Sequence, residues 1–355
     1  MSRLFKPRFL TTILSLSLIS YTVVAQIDNF DFLKAGVNDA SAITEAYITP
    51  WASAFGAGAN GSWYNTAKPH KFGGFDITLG FNVGIVPSSA DTYDVSKIGL
   101  KDFTGLGMAP TVSGPNSAGP TLSSKPVSGI APVTFQTPPG IDWKYMPVPT
   151  LQAGIGLPLG SELKIRYIPK ISIGDGDISS WGVGLLHSII QYLPGDKILP
   201  FDISLFGGYT KLTGNVPIDL PPGTPQFYTS KYPSSAWDNQ NLELIAKAWN
   251  VSVIASLNLP VFTLYGGLGY SSTGTDINMT GNFPMPTINP VHSTTTYIYE
   301  DAGVVKDFPP IDIKNFSGLR TNIGFRLKFA VVTFHFDYTY AQYSVVSTGF
   351  GISFR

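Results

Sequence analysis

The sequence predicts an all-β fold, an antiparallel transmembrane β-barrel of about 12 strands (range about 10–14) with a short N-terminal helix. Three observations predict it: a secretory leader, repeated alternation of apolar and polar residues, and an uneven distribution of loop lengths. Only 13% of the residues are charged and 13% are aromatic, and the mean hydropathy is +0.14. This balance is too apolar for a disordered chain and is typical of a β-rich domain or a membrane barrel.

The N-terminus has the layout of a secretory signal peptide. Basic residues precede an uncharged, mostly apolar run at Phe9–Val24, and small residues at Val23 and Ala25 predict cleavage before Gln26. We therefore divide the chain into a signal peptide at 1–25, an N-terminal helical plug or periplasmic segment at 26–48, and a barrel at 49–355. The alternative, a retained anchor helix, is disfavoured because the apolar run is short.

Period-2 alternation runs through most of the mature chain. In Val332–Tyr340, for example, one face is entirely aliphatic or aromatic and the other holds Thr333, His335, Asp337 and Thr339. Similar segments are Trp51–Trp63, Phe75–Val86, Leu151–Leu157, Leu163–Ile171, Trp181–Leu185, Phe201–Tyr209, Ile245–Leu257, Phe262–Tyr270, Gly318–Phe329 and the last segment, from Ser347 to Phe354.

A soluble β-sandwich would also alternate, with its apolar face inward. Here the apolar faces are almost unbroken and end in aromatic residues, as on the lipid side of a barrel, whereas the polar faces are rich in Gly and small residues. A closed barrel is also the sheet that leaves no backbone edge unpaired in lipid. The pattern therefore favours a membrane barrel over a sandwich.

Loop lengths predict the orientation of the strands. Pro158–Ser161, Asn258–Pro260 and Ala330–Val331 are short connections, whereas those at Met108–Asp142, Leu212–Gln240 and Ser272–Phe316 are long and rich in Pro and Gly. Outer-membrane barrels have short periplasmic turns and longer outer loops, so the three long connections are expected outside. An even strand number then requires one poorly alternating strand at about Thr92–Phe103.

Two segments have helical spacing. Phe32–Tyr47 is expected to form a short helix that either plugs the lumen or lies in the periplasm. Leu186–Leu193 is expected to form a helical patch on a periplasmic turn and to cover the base of the barrel. At the other end of the chain, Phe354 resembles the terminal aromatic signal of outer-membrane proteins, displaced by Arg355.

Four strings carry a resemblance to a known family. They are GANGSWYNTAKPHKFGGFDITLGF at Gly58–Phe81, APTVSG at Ala109–Gly114, PVPTLQAGIGLPLGSELKIRYIP at Pro147–Pro169, and WGVGLLHSIIQYLPGDKILPFDISLFGGYT at Trp181–Thr210. Together they resemble an uncharacterised family of outer-membrane barrels common in Bacteroidota, a domain of unknown function. The resemblance implies an outer-membrane location and no particular activity. In architecture the chain is also distantly similar to fatty-acid transporter (FadL-type) barrels.

Composition excludes several classes of site. The 23 basic and 23 acidic residues give no net charge, so no nucleic-acid partner is expected. The absence of Cys excludes disulfides and thiolate chemistry. His70, His187 and His292 stand alone in the sequence, so neither a metal nor a cofactor is proposed. No Ser lies in a nucleophile-elbow pattern and His335 lies only two residues from Asp337, so no enzyme is expected.

The polar faces carry charged residues that we expect to line the lumen. This candidate set is Asp76, Glu162, Lys164, Arg166, Lys170, Arg320, Arg326, Lys328, His335 and Asp337. Such charges either orient anionic or amphipathic solutes or form an ion-pair network that stiffens a narrow lumen. The second interpretation is favoured because small barrels are filled by side chains.

Two functional hypotheses follow. The first is passive uptake of a small, partly apolar or amphipathic solute through a lumen gated by Phe32–Tyr47, with a hydrophobic small molecule as ligand. The alternative is a structural or assembly platform that binds another protein through its loops or its periplasmic helix. In both cases the expected partners are outer-membrane lipids and, during insertion, the barrel-assembly machinery. A filled lumen with paired charges would favour the platform, and an unfilled axial or lateral cavity would favour transport.

Overall fold

The computed structural model describes residues 36–126, 132, 134–193, 200–218, 235, 239–288, 299–306 and 310–354. The proposed signal peptide lies outside these residues, as do the first four residues of the predicted helix at Phe32–Tyr47 and most of the connection at Leu212–Gln240.

Among the described residues, ten antiparallel strands close into one barrel. Each strand pairs with its neighbours along the chain, and the first strand closes the sheet against the last, with Phe75 opposite Phe354 and Ile85 opposite Ser344. The prediction of an all-β antiparallel barrel is confirmed, with a strand number at the lower limit of the expected range. The strands are β1 Phe75–Ile85, β2 Tyr145–Leu157, β3 Ser161–Ile173, β4 Gly176–Ser188, β5 Phe201–Pro217, β6 Asn241–Asn258, β7 Phe262–Thr280, β8 Ile311–Phe329, β9 Val332–Tyr340 and β10 Ser344–Phe354.

The apolar faces of the strands point outward and the polar faces point into the lumen. In β9, Phe336 is 39% exposed while the adjacent His335 is 1% exposed, and the alternation holds along the whole strand. A soluble protein would bury the aromatic face and expose the polar one. This inversion is the surface that a hydrocarbon environment requires of a barrel.

The two ends of the barrel differ. The turns at residues 158–160, 259–261 and 330–331 lie at one end, here called the turn end, together with the start of β1 and the end of β10. The strand ends that flank the long connections 86–144, 218–240 and 281–310 all lie at the opposite end, here called the loop end. Strands β6, β7 and β8 have 18, 19 and 19 residues, well beyond the roughly 10 that cross a bilayer, so the barrel wall continues past the membrane zone.

One helix, α1 at Gly36–Ala59, lies inside the barrel. The prediction of a strand at Trp51–Trp63 is wrong, because most of that segment is the second half of α1. The helix and the wall approach each other closely at small residues of both. A Cβ on Gly84 of β1 would lie 2.0 Å from the carbonyl oxygen of Ala54 in α1. Trp51, Phe55 and Trp63 share one parity and imitated the outer face of a strand, but inside a closed barrel this segment has no ladder to join.

The connection between β1 and β2, residues 86–144, folds over the first half of α1 and is here called the cap. Its short strands are Thr92–Asp94 with Met108–Pro110, and Phe103–Thr104 with Thr121–Ser124 and Thr134–Gln136. The strand inferred at Thr92–Phe103 is therefore not part of the barrel. The strands that follow the cap have the direction expected from counting back from the C-terminus, whereas the inferred strand at Thr92–Phe103 gave β1 the opposite direction to the one observed.

Buried contacts join the cap to α1. Ala40 and Ile43 pack against Val95, Phe103 and Leu122 in one apolar cluster. The buried Asp39 carboxylate accepts three backbone N–H bonds, from Lys101 at 2.7 Å, Asp102 at 2.9 Å and Phe103 at 2.8 Å. The cap and the first half of α1 are thus one packed unit.

Other elements complete the described chain. Asn282–Ile288 and Tyr299–Lys306 form a separate two-stranded sheet at the loop end. The helical patch expected at Leu186–Leu193 is wrong in extent, since Leu186–Ser188 belongs to β4 and only Ile190–Tyr192 forms a single 3-10 turn. None of the helices in the described ranges combines the length and the hydropathy needed to cross a membrane.

Candidate functional site

A single stretch of chain, Gly36–Gly74, runs through the lumen from the loop end to the turn end and is here called the lumenal segment. Ala40 packs in the cap, whereas His70 contacts Ser353 two positions from the chain end. Between them α1 runs down to Ala59, and an irregular stretch follows to the start of β1. Trp63, Ser62 and Asn60 are all at most 9% exposed. The lumen is therefore filled by the chain's own N-terminal part.

Two arginines of the wall bind the end of α1. Arg166 Nη1 donates to the Ala59 carbonyl at 2.8 Å and its Nη2 to the Gly61 carbonyl at 2.6 Å. Arg320 Nη1 donates to the Asn60 carbonyl at 2.9 Å. The last carbonyls of a helix lack intrahelical donors and carry partial negative charge, so guanidinium groups stabilise them. These two lumenal charges are thus engaged by the lumenal segment.

An aromatic cluster anchors the middle of the lumenal segment. Trp63 and Tyr64 pack on Phe206 of β5, with ring centroids 5.5 Å and 5.4 Å apart. The glycines at Gly184 and Gly208 make room, because a Cβ at either would approach the Trp63 ring to 3.0 Å. The buried Tyr64 hydroxyl donates to Asn322 Oδ1 at 2.8 Å.

At the turn end, His70 joins three strands. Its backbone N–H and its Nδ1 both lie 2.8 Å from Glu162 Oε2 of β3, and Nδ1 lies 3.7 Å from Asp76 Oδ1 of β1. Its Nε2 lies 3.1 Å from Ser353 Oγ of β10. Lys164 donates to the other oxygen of Glu162. This group, here called the His70 cluster, sits where the first and last strands meet and ties the lumenal segment to that seam.

The His70 cluster contains the order hydroxyl, imidazole, carboxylate that serine hydrolases use. However, Ser353, His70 and Glu162 are only 1%, 4% and 1% exposed, so no substrate carbonyl reaches Ser353 Oγ in this conformation. Ligand atoms of His70, Asp76 and Glu162 also lie within 4.8 Å of one another, a spacing that suits a metal ion. Because the Lys164 ammonium already supplies the counter-charge, the arrangement is explained as an ion-pair cluster.

His335 and Asp337 point into the lumen but engage different partners. His335 Nε2 lies 3.4 Å from Ser62 Oγ of the lumenal segment, whereas Asp337 Oδ2 accepts from the Tyr265 hydroxyl at 3.0 Å. No hydrogen bond joins the two side chains in the described part of the chain. The pair therefore forms no catalytic dyad here.

Most of the candidate charged set does line the lumen. Asp76, Glu162, Lys164, Arg166, Arg320, Arg326, His335 and Asp337 are all at most 6% exposed. Lys328 is half-buried near the turn end, where its Nζ donates to the Ser353 carbonyl at 3.2 Å.

Lys170 does not line the lumen, contrary to the prediction. A register shift between Ile168 and Ile171 interrupts the pairing of β3 with β4, and the alternation of buried and exposed residues ends there. The Lys170 side chain is 71% exposed and pairs with Asp177 at 3.0 Å. Sequence alternation alone could not reveal the bulge.

The sequence pattern does not reveal the residues that occupy the lumen. His70 stands alone in the sequence, yet it contacts Glu162 and Ser353, which lie 92 and 283 residues away in the chain. Asn60, Ser62 and Trp63 were assigned to a strand of the wall. The available signal was a run of small and polar residues between α1 and β1, which suits a crowded lumen better than a strand.

The wall has a recess where β7 and β8 shift register between Thr273 and Thr275. Its volume is about 380 Å³, and its lining includes the outward-facing Trp249 and Ser272 and the inward-facing Thr273 and Phe316. Residues from both faces of the sheet therefore meet at this irregularity.

Comparison with known proteins identifies the family. A family model described as "Family of unknown function (DUF6588)" matches residues 1–354. No curated protein matches the sequence.

Several solved outer-membrane structures are similar to the chain at low level. The attachment invasion locus protein Ail of Yersinia pestis is 8% identical, with 80% of this chain and 98% of that chain covered and a TM-score of 0.25. The translocator domain of autotransporter NalP from Neisseria meningitidis is 10% identical, with 81% and 89% covered and a TM-score of 0.27. A Pseudomonas aeruginosa FadL homologue is 11% identical, with 84% and 96% covered and a TM-score of 0.22. Scores this low carry no inference about function.

Proposed function

Because the chain belongs to the DUF6588 family of unknown function, we propose its role from its own geometry: a closed outer-membrane barrel that serves as a binding platform at its loop end. The observation that carries this proposal is the filled lumen. Charged groups of the wall that could guide a solute instead bind the lumenal segment, as Arg166 and Arg320 do.

The outer-membrane location is supported by the surface of the barrel. An outward belt of aliphatic and aromatic side chains surrounds the wall, including Trp181, Phe334 and Phe350, each at least 39% exposed. Exposed apolar area of this extent is unfavourable in water and favourable in hydrocarbon. In this proposal the turn end faces the periplasm and the loop end faces outward, and the leader at 1–25 directs export.

The platform itself is the cap together with the first half of α1. Asp39 holds three backbone N–H groups of the cap, and the apolar cluster around Ile43 and Phe103 fixes the two parts against each other. A preformed surface binds a partner without the entropy cost of ordering loops. The packed cap therefore offers a better recognition surface at the loop end than flexible loops would.

Ion conductance tests whether the lumen is closed. In planar bilayers the refolded protein is expected to give no steady ohmic conductance.

A double variant, Gly58→Cys with Val148→Cys, can lock the lumenal segment to β2, because a Cβ at Gly58 would lie 3.2 Å from the Val148 Cβ and the chain has no other Cys. The single-Cys variants are the matched controls.

The disulfide-locked barrel distinguishes the platform proposal from gated uptake. If the platform proposal holds, the oxidised double variant keeps every cellular phenotype of the wild type that depends on this protein. If oxidation abolishes that phenotype while the single-Cys variants retain it, the lumenal segment has to move, and gated uptake replaces the platform.

The recess at the β7–β8 register shift favours a second candidate, lateral uptake of a partly apolar solute. Trp249 offers an apolar surface beside the membrane zone, and Thr273 and Phe316 lie on the lumenal side of the same opening. A bulky substitution, Gly274→Trp, would fill this recess. Lateral uptake predicts loss of solute accumulation in cells carrying this variant and normal accumulation with Gly207→Trp, since Gly207 lies outside the recess.

A further inference from the structure

A cavity of about 440 Å³ lies between α1, the cap and the turn after β9. Clefts of this size accept small organic molecules. Its α1 wall consists of Ala42, Glu45, Ala46, Thr49 and Pro50, which lie on one face of the helix. The cavity is separate from the lumenal contacts of Arg166, Arg320 and His70, so it is free for a role of its own.

Pro50 gives this helix face an unusual acceptor. Proline has no N–H, so the Ala46 carbonyl loses the donor that residue i+4 of a helix normally supplies. The neighbouring Glu45 carbonyl, by contrast, accepts from the Thr49 hydroxyl at 2.5 Å. Ala46 and Pro50 both line the cavity, so this acceptor without its helical donor belongs to a residue of the cavity wall.

Glu45 and Tyr93 bring two more polar groups to the lining. The Glu45 carboxylate is exposed and has no ion-pair partner among the described residues. Across the cavity, the Tyr93 hydroxyl is buried without a hydrogen-bond partner in the described chain. Burial raises the pKa of Tyr93, so its phenol is not an alternative anion.

The lining favours a cation over an anion. Lys97 is the one basic side chain in the described lining, and it is 80% exposed and paired with Asp94 at 3.2 Å. Opposite the carboxylate and the carbonyl, Tyr93 and Tyr343 contribute aromatic rings, whose faces attract ammonium groups. Ala42 and Ile98 supply apolar surface for the body of the ligand.

We propose that this cavity binds a small organic amine, with its ammonium group at Glu45 and the Ala46 carbonyl and its apolar body against Tyr93 and Ile98. This site goes beyond the platform function. A failure to bind amines would not bear on the proposal of a closed lumen.

Calorimetric titration of the detergent-solubilised full-length mature protein tests the site. The probes are butylammonium and 2-phenylethylammonium, with 1-butanol and 2-phenylethanol as uncharged counterparts. At least one ammonium probe is expected to bind with a stoichiometry of one and more tightly than its alcohol. Glu45→Gln should weaken that binding by about tenfold, because it removes the negative charge that faces the ammonium group.

A matched variant controls for non-specific attraction of cations. Asp102→Asn removes an exposed carboxylate of the same cap that does not line the cavity, and it should leave binding unchanged. Ala46→Leu, which adds volume inside the cavity, should abolish binding of every probe. The proposal is overturned if neither ammonium probe binds, if the alcohols bind equally well, or if Asp102→Asn weakens binding as much as Glu45→Gln.

Discussion

The guanidinium carbon of Arg166, on the barrel wall, lies 3.7 Å from the ring centroid of Trp63, in the lumenal segment. The same guanidinium donates to two main-chain carbonyls of that segment and, through Nε, to Gln152 Oε1 at 3.0 Å. A planar, fully charged fork can stack and donate in several directions at once, which a lysine ammonium cannot do. This one contact therefore fixes both the position and the orientation of the lumenal segment.

Replacement of Arg166 should loosen the lumenal segment. Arg166→Lys keeps the charge but loses the fork and the stacking, so we expect a stability loss on the order of 2–3 kcal/mol. The measurement is the temperature at which the folded, faster-migrating gel band disappears. Lys170→Met is the control on the same strand, and its loss should stay below about 1 kcal/mol because Lys170 forms an exposed ion pair. Equal effects of the two variants would contradict the assigned role of Arg166.

Gly84 should be needed for α1 to enter the barrel. In Gly84→Ala the new methyl group would meet the Ala54 carbonyl, which is backbone and cannot rotate away. The barrel ladder should still form, because Gly84 pairs through its backbone with Val345 and Met146. We expect retained gel mobility and faster amide exchange across residues 50–60. Gly207→Ala, with no neighbour near its Cβ, should match the wild type, and unchanged exchange in Gly84→Ala would refute the close approach.

Asp39 should hold the cap on α1. Asp39→Ala leaves three backbone N–H groups of the cap without their acceptor, at a cost of about 1–3 kcal/mol for each group that stays buried. We expect the amides of Lys101, Asp102 and Phe103 to exchange faster and a protease to cleave the cap sooner. The barrel strands should keep their protection. Asp102→Asn serves as the control, and a cap that remains fully protected in Asp39→Ala would disprove the link.

The His70 cluster should stabilise the seam between β1 and β10. Glu162→Gln removes the carboxylate that pairs with both His70 and Lys164, and loss of one partner from a buried ion pair costs about 3–5 kcal/mol. We expect a lower unfolding temperature and increased exchange in β1 and β10. Glu243→Gln, in the half-buried Glu243–Asn278 pair of the loop end, should change the unfolding temperature little.

The barrel was predictable because its alternation obeys a simple rule. Each strand must present an apolar face to lipid, so Phe334, Phe336 and Tyr338 alternate with polar residues without interruption. Arg166, Arg320 and Asp337 occupy the polar positions of their alternating strands, so their placement in the lumen was predictable in the same way. Lys170 is an exception to this rule. The register shift beside it depends on the pairing of two strands, which the alternation within a single strand does not encode.

The filling of the lumen was not predictable in the same way. Trp51, Phe55 and Trp63 share one parity, as the outer face of a strand would, and only their position inside a closed wall makes a helix the stable choice for residues 51–59. The His70 cluster unites residues from three distant parts of the chain. Neither periodicity nor local spacing contains that information, since both report on neighbours within one element.

The central claim, a lumen filled by residues 36–74, is tested most directly by single-cysteine labelling of the folded protein in lipid. Because the chain has no Cys, Ser252→Cys and Ser347→Cys introduce near-isosteric thiols on the lumenal wall at positions 2% and 0% exposed. Ser89→Cys, in the exposed part of the cap, is the accessible reference. A membrane-impermeant, cationic thiol reagent should modify the reference rapidly and leave both lumenal positions unmodified. Modification of Ser252→Cys and Ser347→Cys at the reference rate would mean an open, water-filled lumen and would contradict the account.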